Sequence, residues 1–296
     1  MQYDTHVNIT ALHHDFSQNY EWLESVASLS DNNRFAGVKS RLEEIARNYD
    51  ASTNQVTRDF QLTEALLTAF EAKRFNQAVG YLRTFNRHHL PIDKIRSMCE
   101  GPAYHFEEIP ASSNAQGRNI QFEFILGGEL KKRGFRIIQE FDDIKIDYAS
   151  SLIRYECKRL STSKNFVTRF SEAVDQLATK IDKQGNEYGI IVLSIDKTDN
   201  FDLNFFCGND INGTRDRLNQ HKNDVLGNLR DSLRIPSNKK ILGIYLFAST
   251  WLWDEATGTF IEVSNLYTEM AIQVPTTPLH DYLFNAIKQQ LEKAEQ

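Results

Sequence analysis

The architecture of this chain depends on residues 134–159, whose sequence is GFRIIQEFDDIKIDYASSLIRYECKR. Apolar and polar residues alternate along much of this segment, as they do in β-strands that bury one face. The alternation predicts three short strands, Phe135–Phe141, Asp143–Tyr148 and Leu152–Arg159. Ala149-Ser150 is the shortest loop that can join the last two strands, which are therefore expected to form a hairpin.

The two-residue loop sets the register of this hairpin, because it pairs Tyr148 with Ser151. One face of the hairpin is then apolar throughout, with Ile146 facing Ile153 and Ile144 facing Tyr155. A slip by one residue would bring the apolar side chains to the other face, so the pattern itself supports this register.

On the polar face, the same register places Asp143 directly across from Glu156. Such opposed side chains lie within roughly 5.5 Å of each other at Cβ. Two carboxylates this close repel each other unless a cation lies between them, and hard oxygen ligands suit Mg²⁺ or Mn²⁺. Asp147 is the rival ligand, but it lies two pairs further along, across from Leu152.

Glu156-Cys157-Lys158 is an acid-x-Lys triplet, a pattern that is common by chance. The other triplets of this kind in the chain are Glu71-Ala72-Lys73, Glu129-Leu130-Lys131 and Asp143-Ile144-Lys145. The first two of these fall in helical patterns. The 156–158 triplet is distinguished by its place late in a strand that follows an acid-bearing strand.

An α/β arrangement surrounds the hairpin. Residues 118–133 fit a helix that stops at Gly134, and an amphipathic helix is expected from about Asn165 to Lys183. The apolar run Tyr188–Ile195 is typical of a central strand covered on both faces. Further along, Asn212–Leu233 fits a helix and Lys240–Ser249 another strand. This order predicts an α/β sandwich core.

The N-terminal third of the chain has a different pattern. Apolar residues such as Trp22 and Val26 fall at helical spacing, and prolines and a polar stretch interrupt the pattern near residues 100–117. We expect an all-helical N-terminal domain over residues 1–105, which binds a protein partner or positions substrate. A second domain is expected over residues 106–296.

Composition narrows the class of protein. The chain has 296 residues, of which 41% are hydrophobic and 25% charged, an ordinary globular composition. The sequence has no apolar run of bilayer-spanning length and no signal-peptide core. The three cysteines, Cys99, Cys157 and Cys207, lack paired metal-ligand spacing, so a cytoplasmic location is expected. The net charge of −6 argues against bulk electrostatic coating of nucleic acid but allows a local basic groove.

Four segments carry acidic, basic and amide residues, and the order of these residues along the chain is informative. They are Gln121-Phe-Glu-Phe with Glu123, Phe141-Asp-Asp-Ile with Asp143, Ile153-Arg-Tyr-Glu-Cys-Lys-Arg with Glu156 and Lys158, and Ala173-Val-Asp-Gln-Leu with Gln176. This order resembles the core of the PD-(D/E)xK, or restriction-endonuclease-like, nuclease superfamily over residues 118–195, about a quarter of the chain. The resemblance implies that superfamily's α/β sandwich with a mixed sheet. No proline precedes the aspartate here, because Asp142 occupies that position, which leaves Asp142, Asp143 and Asp147 open as metal ligands.

The resemblance also implies a division of roles. Asp143 and Glu156, joined by the backbone carbonyl of Cys157, would bind Mg²⁺ or Mn²⁺. Lys158 would orient the attacking water and balance charge on the phosphate, and Glu123 would hold a metal-bound water or a second metal. The reaction would be metal-assisted hydrolysis of a phosphodiester bond.

Several residues beyond the triplet are candidates for contact with the nucleic-acid backbone. They are Arg159, Lys164, Arg169 and Gln176, and helical spacing puts Arg169, Gln176 and Lys180 near one polar side. Taken singly, the cations are first of all surface residues.

The function that the resemblance implies is that of a magnesium-dependent nuclease, with DNA as the expected substrate and a role in restriction or anti-phage defence. Enzymes of this class often work as homodimers to cut two strands. Two alternatives remain: an RNase on the same scaffold, and a non-catalytic nucleic-acid-binding or assembly module that keeps the fold. In the second alternative, the charges of the hairpin form an ordinary salt-bridge ladder.

Overall fold

The predicted strands of residues 134–159 are present in a computed structural model of the protein and belong to a larger sheet. The model describes residues 2–50, 55–56, 62–104, 107, 116–139, 141, 143–160, 166–182, 184–195, 210–254, 259–270, 272–274 and 277–293. The strands in these ranges are β1 (Gln2–Val7), β2 (Tyr49–Asp50), β3 (Gln55–Val56), β4 (Arg136–Gln139), β5 (Lys145–Tyr148), β6 (Ser151–Arg159), β7 (Glu187–Ser194), β8 (Arg234–Pro236), β9 (Ile241–Asp254), β10 (Thr259–Met270) and β11 (Ile272–Val274).

Helices lie on both sides of the sheet, and a further group of helices lies within residues 9–98. In the same described ranges they are α1 (Ile9–Ala27), α2 (Arg34–Arg47), α3 (Leu62–Leu82), α4 (Ile92–Met98), α5 (Gln116–Lys132), α6 (Phe166–Lys180), α7 (Ile211–Leu229) and α8 (Pro278–Lys293). None of these helices is both long and apolar enough to span a membrane.

Seven strands form one mixed sheet in the order β1-β10-β9-β7-β6-β5-β4. The β6–β7 and β7–β9 pairs are parallel and the other pairs in this sheet are antiparallel. The α/β class and the mixed sheet are thus confirmed. The restriction-endonuclease-like identity of the fold stays a prediction.

The predicted register of the β5–β6 hairpin is confirmed. Tyr148 pairs with Ser151 and Ile146 with Ile153, and the amide of Tyr155 donates to the carbonyl of Ile144 at 2.8 Å. The strand β5 is two residues shorter than predicted, since it begins at Lys145. Asp143 therefore lies just before the strand, in line with it.

The sheet is covered on both faces, as the apolar run of β7 predicted. Ile191 and Leu193 pack in one core with α6 and α7, whereas Ile190 and Val192 pack in another with α5 and α8. Successive side chains of a strand point to opposite faces, so the alternation in β7 divides the two cores. Arg154, Glu156 and Lys158 of β6 face the α6 side.

The helices α1–α4 and one side of α5 form a third core with Trp251 and Phe260 of the sheet. The prediction that residues 1–105 are all-helical is wrong, because β1 pairs with β10 at the edge of the sheet and the short strands β2 and β3 pair with each other. A local pattern does not reveal such an edge strand, since its partner lies near the other end of the chain. The division into two domains stays a prediction.

The backbone of the hairpin turn is strained, and the effect of this strain on stability can be tested. Ala149 and Ser150 are exposed and have φ angles of 49° and 61°, which a type I′ turn requires and which Asn-Gly adopts more easily. We expect the double substitution Ala149→Asn, Ser150→Gly to raise the free energy of unfolding by about 1 kcal/mol. Urea denaturation measures this change, and a lower unfolding midpoint for the variant would contradict the turn geometry.

Candidate active site

The candidate site lies where β6 continues beyond β5. Residues 156–159 of β6 remain paired with β7, while β5 begins opposite Arg154. Asp143 lies two residues before β5, and Glu156 lies beyond the part of β6 that pairs with β5. Glu156 is only 7% exposed, which makes it a buried charge in need of partners.

One ammonium group joins the two carboxylates. Nζ of Lys180, in the last turn of α6, donates to Oδ1 of Asp143 at 2.8 Å and to Oε2 of Glu156 at 2.9 Å. Burial lowers the pKa of Lys180, but the hydrogen bonds to the two carboxylates outweigh this effect and raise its pKa overall. Asp143 and Glu156 thus share one cation, which is a lysine of the protein itself.

Lys158 occupies the other side of Glu156. Its Nζ contacts Oε1 of Glu156 at 2.8 Å and donates to Oε1 of Gln176 at 2.7 Å. Gln176 and Lys180 are four residues apart on α6, so both lie on the side of the helix that faces the strand. The structure therefore brings Gln176 into the site through Lys158.

A second group of ion pairs surrounds the carboxylates, and sequence reasoning missed it. Arg154 donates to Asp143 at 3.2 Å and to Glu187 at 3.1 Å, and Lys145 contacts Glu187 at 2.8 Å. Burial raises the pKa of Glu187, but the hydrogen bond from Lys145 and neighbouring donors lower it overall. The available signal was a charged residue, Glu187, at the start of an otherwise apolar strand.

Glu123 approaches from α5, on the other face of the sheet. Burial raises its pKa; Lys94, at 3.5 Å, opposes this effect, and the charges of Asp143 and Glu156 add to it. Because the charges of Asp143 and Glu156 raise the pKa of Glu123, its carboxylate lies near this pair. Of the four predicted catalytic residues, the structure joins Asp143, Glu156 and Lys158 by direct contacts, whereas Glu123 contacts Lys94.

Cys157 lies between Glu156 and Lys158, and its side chain packs on the face of the sheet that α5 covers. Burial raises the pKa of its thiol well above the ordinary value, and the negative charges of Glu123 and Glu156 add to this effect. A thiol that stays protonated is a poor nucleophile. The backbone carbonyl is therefore the group that Cys157 can offer to the site.

The remaining predicted residues lie outside this cluster. Asp147, the rival ligand, forms a surface ion pair with Arg136 at 3.2 Å, and Arg169 forms an exposed pair with Glu172 at 3.0 Å. Asp142 and Lys164 lie outside the described residues.

Arg159 follows Lys158 in β6 and so points to the opposite face of the sheet. There, burial lowers the pKa of Arg34 to about 9, and the charges of Arg118 and Arg159 add to this effect. Arg159 is therefore directed towards the N-terminal helices and away from the carboxylate pair.

The donor set at Asp143 and Glu156 fits a divalent metal. Among the described residues, no three His, Cys, Asp or Glu side chains are grouped to hold a metal ion. Two carboxylates and one backbone carbonyl are nevertheless hard oxygen donors of the kind that Mg²⁺ accepts, with water completing its shell. The shared contact with Lys180 indicates that this pair of carboxylates is arranged for positive charge.

Comparison with known proteins found no family model, curated protein or solved structure that matches this chain. The likeness to PD-(D/E)xK nucleases therefore rests on the residues and their arrangement.

The raised pKa of Glu123 predicts a pH-dependent gain in stability on its replacement. Because the folded-state pKa is raised, its contribution to stability is present below the unfolded value of about 4.3 and is lost as the pH rises through the folded value. Glu123→Gln, which does not ionise, should unfold at a higher temperature than the wild type at neutral pH. The unfolding temperatures of the variant and the wild type should converge at about pH 4.

Thermal unfolding followed by circular dichroism across this pH range provides the measurement. A variant that is no more stable than the wild type at neutral pH would mean that the partial burial of Glu123 does not disfavour its charged form.

Proposed function

We propose that the protein is a metal-dependent nuclease that hydrolyses phosphodiester bonds, with DNA as the expected substrate. The observation that carries this proposal is the convergence of Asp143 and Glu156 on one cation, with Lys158 bound to the same glutamate. The resemblance to PD-(D/E)xK nucleases implies this combination of two acids and a lysine for metal-assisted phosphodiester cleavage.

The burial of Glu156 supports this proposal over a salt-bridge ladder that serves stability alone. Ion pairs withdrawn from water add little net stability, and apolar residues of similar size often replace them without loss. Clusters of charged groups in partly buried sites are candidates for function on this physical ground.

In the proposed mechanism, Asp143, Glu156 and the carbonyl of Cys157 would hold the metal. When bound, a divalent metal polarises the phosphate and lowers the pKa of water. The Lys158 ammonium group, in contact with Glu156, would stabilise the negative charge that develops on the phosphate. Gln176 fixes the position of the Lys158 ammonium, to which its side-chain oxygen is bonded.

Glu123 has a distinct part in this proposal. Its raised pKa makes it a better proton acceptor than an ordinary surface glutamate, because a base is more effective when its pKa is closer to the working pH. It would hold a water molecule on the far side of the carboxylate pair. A role in restriction or anti-phage defence, and action as a homodimer, rest on the resemblance alone.

The assignment predicts which substitutions abolish cleavage. Glu156→Gln and Lys158→Met should each lower the rate of Mg²⁺-dependent cleavage by at least about a hundredfold, because each removes a charge that acts on the transition state. Asp147→Asn is the matched control on the same hairpin and should retain the wild-type rate, since Asp147 pairs with Arg136 at the surface.

Labelled single- and double-stranded DNA and RNA, incubated with each protein and Mg²⁺, give the rates and separate a DNase from an RNase. Cleavage by Lys158→Met at the wild-type rate would contradict the proposed role of this lysine. Loss of cleavage in Asp147→Asn, with cleavage retained by the other variants, would instead assign the metal site to Asp147, further along β5.

A second candidate is a non-catalytic nucleic-acid-binding or assembly module. The observation in its favour is that Asp143 and Glu156 both already have cationic partners within the protein. For the nuclease, we expect calorimetric titration with Mn²⁺ to show saturable binding that Glu156→Gln abolishes. Absence of Mn²⁺ binding with and without DNA would favour the module.

A further inference from the structure

We infer that Lys180 competes with the metal for the carboxylate pair and thereby sets the metal affinity of the site. This inference rests on the proposed function. It assigns to the last turn of α6 a part in the site that neither the acid-x-Lys triplet nor the strand pattern indicates. Lys180 acts here through Asp143 and Glu156 and is a positioning residue.

The two carboxylates present four oxygens to the cations around them. The outer oxygens are occupied by other cations, since Oδ2 of Asp143 accepts from Arg154 at 3.2 Å and Oε1 of Glu156 contacts Lys158 at 2.8 Å. The oxygens that remain for a shared ion are those that contact Nζ of Lys180. The ammonium group and a bridging metal would therefore use the same two atoms.

Both cations cannot occupy this position together. A divalent ion binds carboxylate oxygens at about 2.0–2.6 Å, which would place it in contact with an ammonium group that bonds the same oxygens. Two positive charges at such a distance repel each other strongly in a partly buried site. Metal binding thus requires Lys180 to withdraw.

Lys180 is able to withdraw. Its side chain is 36% exposed, and a lysine has a flexible stem with four carbons, so its ammonium group can move into water. It also lies in the last turn of α6, where the carbonyl ends of the helix favour a nearby cation. Lys158 differs, because it is held between Glu156 and Gln176.

An opposite role for Lys180 predicts the opposite result. If its charge mainly kept Asp143 and Glu156 together, its removal would let the carboxylates repel each other, and metal affinity would fall. The direction of the change in affinity therefore distinguishes competition from preorganisation.

The test is calorimetric titration of the metal-free protein with Mn²⁺. Lys180→Met should bind Mn²⁺ about tenfold more tightly than the wild type, since two charge-assisted hydrogen bonds no longer have to be broken. Lys180→Arg keeps the charge and should remain within about twofold of the wild type.

Lys239→Met is the matched control for the loss of one positive charge. Lys239 contacts Asp175, also on α6, at 2.7 Å, and its removal should change Mn²⁺ affinity by no more than about twofold, since exposed charges are screened by salt. As a second readout, Mn²⁺ should raise the unfolding temperature of Lys180→Met by more than it raises that of the wild type.

Equal or weaker Mn²⁺ binding by Lys180→Met, with binding by the wild type, would overturn the competition and leave the proposed function intact. Absence of Mn²⁺ binding in both proteins would overturn the proposed function and this inference with it. Circular dichroism spectra of the variants establish that each one is folded.

Discussion

The register of the β5–β6 hairpin is the constraint on which the site depends. It buries Ile146 and Ile153 on the side of α5 and α8, and by alternation it holds Asp143 and Glu156 on the side of α6. A slip by one residue would bury these carboxylates among apolar side chains, at a cost of several kcal/mol unless they became neutral. Burial of the apolar side chains thus maintains the register that positions the two carboxylates. It also offsets the strain of the turn at residues 149–150.

The helix α5 connects this arrangement with the N-terminal helices. One side packs against the sheet and the other against α1–α4, and Arg118 at its start forms a buried ion pair with Glu71 of α3. Gly127 allows α3 to approach, since a Cβ there would lie 2.5 Å from the ring of Tyr81. Glu123 is positioned by both cores, so the N-terminal helices influence the geometry of the site from a distance.

The parts that sequence reasoning predicted correctly share a local signal. The alternation in β5 and β6 and the apolar run of β7 have short periods, so neighbouring residues are enough to assign them. The residues that sequence reasoning missed, Arg154 and Glu187, belong to a network that joins β6 and β7. The edge strand β1 was missed for a related reason, because its partner β10 is distant in sequence.

The sequence by itself determined the α/β class and the hairpin register, and with it the shared side of Asp143 and Glu156, because period-2 patterns state which face of a strand is apolar. Helical spacing likewise determined that Gln176 and Lys180 share a side of α6. Only the tertiary structure decided that Lys180 contacts both carboxylates, that Glu123 approaches from the opposite layer and that Arg159 turns away. The physical reason is that a pattern identifies a polar face, whereas the docking of helices onto the sheet decides which charges meet there.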